Sequence, residues 1–129
     1  MELFIGGSFQ GKTQHAKEKF PDYVIYDEVN FKELSELAPG KKVILNHFHL
    51  CVKALLEERT QEEIALWMEE LLDRFPNMLL ISDEVGSGIV PMEMAERQFR
   101  EVTGRLLCDV AKRTERVVRF VCGIPTQIK

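Results

Sequence analysis

The chain has 129 residues, 45% hydrophobic and 29% charged, the balance of one ordinary globular domain spanning 1–129. Seventeen Lys and Arg against twenty-one Asp and Glu leave a net charge of −4, which offers no basic footprint to nucleic acid or to an anionic membrane. The widely spaced Cys51, Cys108 and Cys122 fit neither a disulfide set nor a thiolate zinc motif, and no leader pattern or membrane-length apolar run is visible, so a cytoplasmic, reduced protein is expected.

Glu2–Ile5 is a short apolar run with little polar alternation, as in a strand covered on both faces. Gly11–Phe20 reads as a helix, Tyr23–Tyr26 as a second strand, and Asn30–Leu37 as a short helix stopped near Pro39-Gly40. Lys42–Leu45 is the third strand, followed by a helical pattern from His49 to Arg59. Thr60 and Glu63 form a capping-box pattern before a helix whose Ile64, Trp67, Met68, Leu71, Leu72 and Phe75 share one face. Met78–Ser82 is the fourth strand. Pro91 suits the first turn of a last helix, whose Phe99, Val102, Leu106 and Val110 carry the pattern to about Arg113, and Val117–Cys122 is the fifth strand. Strands alternating with helices through short connections predict an α/β fold, with an open, mostly parallel sheet and helices on both faces.

Residues 6–13, Gly6-Gly7-Ser8-Phe9-Gln10-Gly11-Lys12-Thr13, spell a complete G-x-x-x-x-G-K-[ST] directly after a strand and at the head of a helix. Gly6 and Gly11 let the backbone turn tightly, and the exposed amides with the helix dipole then face an anion. Lys12 places a point charge on the β/γ-phosphates, and Thr13 offers its hydroxyl to Mg²⁺. The fold type expected is therefore that of P-loop NTPases, binding ATP or GTP with Mg²⁺.

Such a protein usually supplies an acidic residue from a neighbouring strand end for the metal. Asp83-Glu84 closes the fourth strand and is the favoured source, the alternative being a solvated strand-end pair. Asn46-His47, after the third strand, carries no acid. His47 and His49 would share a face on a strand, but two imidazoles without a third ligand read better as a surface or hydrogen-bonded pair. His15 reads as a helix-surface residue.

Further on, Asp83-Glu84-Val85-Gly86-Ser87-Gly88-Ile89-Val90-Pro91 precedes Arg97-Gln98-Phe99-Arg100-Glu101 and Gly104-Arg105, and Val121-Cys122-Gly123-Ile124-Pro125 lies near the end. Together with the Gly6–Thr13 loop, these motifs resemble the adenosylcobinamide kinase/adenosylcobinamide-phosphate guanylyltransferase family of cobalamin biosynthesis. The resemblance is loose over 1–26 and close over 78–129. It implies a homotrimeric P-loop protein that phosphorylates adenosylcobinamide and then transfers GMP through a guanylylated histidine. Gly6, Gly7, Ser8, Gly11, Lys12 and Thr13 would be the nucleotide loop, and Glu84 through Pro91 the signature beside it.

The chain departs from that pattern where the second half-reaction resides. It has no H-x-x-x-R-P motif, and Tyr23–Tyr26 passes almost at once to Asn30–Leu37 and the next strand. The family's D-C-x-T-L-W appears as Asn46-His47-Phe48-His49-Leu50-Cys51, its Asn before E-V-G as Asp83, and its G-x-x-N-Q as Gly104-Arg105-Leu106-Leu107-Cys108. Asn46 and Asp83 thus read as a swap: if their strands flank the first one, a carboxylate and an amide still face the metal from exchanged sides. The resemblance implies a kinase-type phosphotransferase acting from ATP or GTP on adenosylcobinamide or a related alcohol, without the guanylyl step. The other reading is a nucleotide-binding regulatory or interaction protein without transfer chemistry.

Overall fold

The computed structural model describes residues 1–85 and 93–129. In chain order the elements are β1 (Glu2–Gly6), α1 (Lys12–Lys19), β2 (Val24–Tyr26), a 3₁₀ helix (Phe31–Glu36), β3 (Val43–Leu45), α2 (Phe48–Leu56), α3 (Gln61–Arg74), β4 (Leu79–Asp83), α4 (Met94–Arg113), β5 (Arg116–Val121) and β6 (Ile124–Gln127). They build a six-stranded sheet in the order β2-β3-β4-β1-β5-β6. All pairs are parallel except β5 with β6.

The apolar strands are buried on both faces because successive side chains feed two different cores. Leu3, Val43, Leu45, Leu80 and Val117 point to the side covered by α2, α3 and α4. Phe4, Ile44, Leu79, Ile81, Val118 and Phe120 point to the opposite side, where α1 contributes Ala16. Each fully buried Leu, Ile or Phe contributes roughly 1.5–3 kcal/mol relative to exposure. The fold is held by these two layers of side chains, and they fix where the strand ends lie.

The expected elements appear with three differences. Asn30–Leu37 is a 3₁₀ helix over Phe31–Glu36. Its two buried residues, Phe31 and Leu34, are three apart and so stand above one another at three residues per turn. The second difference is β6, for which the sequence reading has no element. Cys122 and Gly123 both have positive φ (51° and 74°), which builds a two-residue hairpin between Val121 and Ile124. Pro125 is tolerated because β6 is an edge strand.

The third difference concerns sheet order. β4 lies between β3 and β1, so β3 does not flank the first strand as the swap argument supposed. The Thr60–Glu63 capping box is formed in both directions, at 3.2 and 3.1 Å. Pro91, assigned by sequence to the first turn of α4, lies outside the described residues, as do Gly86 and Gly88.

Candidate functional site

β1 hands the chain to α1 through Gly6–Gly11, and the ends of β4 and β3 stand beside that loop. Gly11, in the left-handed region at φ 79°, precedes the first residue of α1. Phe9 also has positive φ (58°) and is fully exposed at the loop tip. Gln10 turns back to the β5–β6 hairpin, where its side-chain oxygen accepts a hydrogen bond from the Gly123 amide at 3.2 Å. A cavity of about 310 Å³ opens over the loop, lined by Ser8–Gln14, Asn46, His47, His49 and the end of β4.

Lys12 has a buried stem, and its ammonium is fully engaged. Nζ donates to the carbonyls of Gly7 (2.6 Å) and Gly6 (3.4 Å) and pairs with Asp83 Oδ1 at 2.8 Å. Ser8 Oγ donates to the other Asp83 oxygen at 2.7 Å. Partial burial alone would raise the Asp83 carboxyl. The hydrogen bonds from Lys12 and Ser8, with electrostatic help from His49 and Lys12, outweigh it and hold the group below the usual carboxylate range.

Thr13 faces the next strand over. Its Oγ1 donates to Asn46 Oδ1 at 3.2 Å, and Asn46 is buried. β3 is one strand further from β1 than the swap argument assumed, yet Asn46 and Asp83 both reach the loop, Asn46 at Thr13 and Asp83 at Lys12 and Ser8. Glu84 lies elsewhere. Its amide is tied to the Gly6 carbonyl at 2.8 Å, while its carboxylate forms a two-point pair with Arg119 of β5 at 2.7 and 3.2 Å. It lines a separate apolar hollow between the sheet and α4.

The two later histidines are not on a strand: β3 ends at Leu45, and His47 is the left-handed residue (φ 52°) that caps α2. His49 sits in the first turn of α2 and is nearly buried. Its Nδ1 accepts the Asp83 amide hydrogen at 3.2 Å, which places the ring proton on Nε2, 3.4 Å from Asp83 Oδ2. Burial lowers its pKa, and Asp83 offsets this only in part. His47 instead pairs through Nδ1 with Glu28 Oε2 at 2.8 Å. No local signal marks that pair, since Glu28 belongs to the loop after β2. His15 is no free surface residue either, because its ring packs on Phe4 and Phe120 at 5.7 and 5.3 Å.

The oxygen donors at the loop, Thr13, Asp83 and Asn46, are hard ligands of the kind Mg²⁺ takes. Among the described residues no group of three or more His, Cys, Asp and Glu side chains is gathered for a metal. The donor set therefore fits an ion that shares its coordination with phosphate oxygens and water.

A mostly parallel sheet with a G-x-x-x-x-G-K-T loop between its central strand and the first helix defines an α/β protein of the P-loop NTPase type. The chain belongs to the cobinamide kinase / cobinamide phosphate guanyltransferase family, whose family model matches residues 10–128. It is similar to the bifunctional adenosylcobalamin biosynthesis protein CobP of Pseudomonas aeruginosa, 36% identical over 99 residues that cover 74% of this chain and 57% of that protein. It is also similar to the bifunctional adenosylcobalamin biosynthesis protein CobU of Salmonella typhimurium, 32% identical over 76 residues, 59% of this chain and 42% of the relative. The chain thus spans about half the length of the curated relatives it matches. No helix among the described residues is long and apolar enough to cross a membrane.

Proposed function

We propose that the chain binds a nucleoside triphosphate on the Gly6–Thr13 loop and transfers its terminal phosphoryl group to adenosylcobinamide or a related alcohol. The observation that carries this reading is the convergence of Lys12, Ser8 and Asp83 at 2.7–2.8 Å beside the Thr13–Asn46 pair. Phosphoryl transfer is chiefly positioning and charge stabilisation, which loop amides and a lysine supply. An incoming triphosphate competes with Asp83 for the Lys12 ammonium. Released, the Asp83 carboxylate would be free to hold Mg²⁺ together with the Thr13 hydroxyl. That ion, when bound, neutralises phosphate charge.

The guanylyl step is left out of the proposal, because the H-x-x-x-R-P histidine on which the family resemblance rests it has no counterpart in the sequence. A second reading, nucleotide binding without transfer, is favoured by one observation: the strand end facing Thr13 presents the amide of Asn46 and not an acid. Incubation with adenosylcobinamide, Mg²⁺ and ATP or GTP, followed by mass spectrometry of small molecules and intact protein, separates the two. A phosphorylated cobinamide that disappears in Lys12→Ala is the result expected. Nucleotide binding with no product supports the second reading, and a one-GMP protein adduct overturns the omission of the guanylyl step.

A further inference from the structure

We infer that His49 is the positioning residue for Asp83, holding its carboxylate beside the phosphate loop when Lys12 turns to a nucleotide. The assignment rests on the reading above, in which Asp83 and Thr13 serve the nucleotide's Mg²⁺.

β3 ends at Leu45, opposite Leu80, while β4 runs on to Asp83. At its last residues β4 is therefore paired with β1 alone. The Glu84 amide donates to Gly6 of β1, and strand alternation turns the Asp83 amide to the other side, where β3 has already stopped. His49 stands in that gap. Its Nδ1 accepts the Asp83 amide hydrogen at 3.2 Å, so the lone pair is used there and the neutral ring carries its proton on Nε2. Nε2 faces Asp83 Oδ2 at 3.4 Å. One ring thus addresses both the backbone and the side chain of a residue thirty-four positions away, and neither arm requires it to be charged.

The ring is placed to keep that hold. Its side chain is only 11% exposed, and Phe48, Cys51, Val52 and Leu55 root the first turns of α2 in the core. The other two groups on the carboxylate, Lys12 and Ser8, both belong to the loop that receives phosphate. A triphosphate that draws them away leaves His49 holding Asp83, and the 3.4 Å contact needs to shorten by about half an ångström to become a full N–H···O bond. A carboxylate restrained in this way loses less freedom when it takes up a metal, as with other hydrogen-bonding partners behind a ligand. His49 and Asp83 are also two of the positions at which the chain leaves the pattern it resembles, one within Asn46–Cys51 and one before Glu84. The two departures touch.

The test is calorimetric titration of ATP and of GTP into the full chain with and without Mg²⁺, the ratio of the two affinities being the Mg²⁺ gain. His49→Asn keeps an acceptor where Nδ1 stood and removes the donor at Nε2, whereas His49→Gln does the reverse. His49→Asn should lower the Mg²⁺ gain roughly tenfold, and His49→Gln should keep most of it. In an Asp83→Asn background, His49→Asn should change the gain no further. A wild-type gain in His49→Asn, an equal loss in both variants, or a loss that persists without the Asp83 carboxylate overturns the assignment alone. A wild type with no Mg²⁺ gain, or an Asp83→Asn variant that keeps all of it, overturns the reading of Asp83 as the metal's carboxylate, and the assignment with it. NMR of the imidazole nitrogens in the unaltered chain gives a readout that no folding defect disturbs. With Mg²⁺ and nucleotide bound, a proton on Nε2 and none on Nδ1 is expected, and a proton on Nδ1 overturns the assignment.

Discussion

Lys12 and Asp83, seventy-one positions apart, are joined at 2.8 Å across the loop that links β1 to α1. The lysine that would meet a phosphate is neutralised by a carboxylate from the adjacent strand, which Ser8 also holds. Asp83 thus occupies, with its two oxygens, the donors that an anionic ligand needs.

Substitution Asp83→Asn should therefore have opposite effects on two properties. In EDTA, where no metal assists, nucleotide affinity should rise roughly three- to tenfold, because a competing charge on Lys12 is gone. Mg²⁺-supported binding should weaken. Calorimetric titration of ATP and GTP with and without Mg²⁺ measures both, and an unchanged affinity in EDTA would show that Asp83 does not compete.

If Asn46 and Asp83 share one task from exchanged strands, a double-mutant cycle should detect it. Asp83→Asn should depress Mg²⁺-dependent nucleotide binding, and Asn46→Asp in that background should restore part of the loss by placing a carboxylate against Thr13. A coupling of about 0.5–3 kcal/mol is expected. Strict additivity of the two changes would argue that the positions act independently.

The Gly6–Phe120 contact makes a stability prediction. A Cβ at Gly6 would sit 2.6 Å from the Phe120 carbonyl oxygen, a backbone atom that cannot swing away. Gly6→Ala should cost about 1–3 kcal/mol in urea unfolding, since β1 and β5 must separate locally. At Gly7 the nearest contact is the flexible Gln10 side chain at 3.8 Å, and Gly7→Ala should stay within ~0.5 kcal/mol of wild type.

His49 gives the folded state a pH dependence. Burial depresses its pKa below 6.5, against the pull of Asp83, so the unfolded chain binds more protons as the pH falls below that value. The stabilisation is complete above about pH 6.5 and is lost as the pH falls towards the lowered folded value. Asp83, also depressed, adds a second loss in more acidic solution, below the ordinary carboxylate range. His49→Gln should flatten the upper slope and leave the lower one, as read by urea unfolding across the range. A slope that survives in the variant would assign it to another group.

The relatives frame these experiments. Family membership rests on residues 10–128, but the aligned stretches cover only 57% and 42% of the two bifunctional proteins. Activity assays on this chain therefore test it directly, and the kinase and guanylyl steps must be scored separately.

The local chemistry of the chain was legible from its residues. Strand positions followed from runs such as Val43-Ile44-Leu45, the head of α3 from Thr60 and Glu63, and the phosphate loop from Gly6 to Thr13, because each signal lies within a few bonds of its effect. Sheet order was not so encoded. No short pattern says that β4 inserts between β1 and β3, nor that a Cys-Gly turn folds the last residues back as β6. Spacing alone likewise could not separate Asp83, which turns to Lys12, from its neighbour Glu84, which turns to Arg119. The alternation of a strand sends adjacent side chains to opposite faces, and only the packing of the helices decides which face holds the loop. The Glu28–His47 pair was equally hidden, since it exists only because β2 and β3 lie side by side. The sequence determined the loop and the elements; the stacking of strands decided which side chains stand around it.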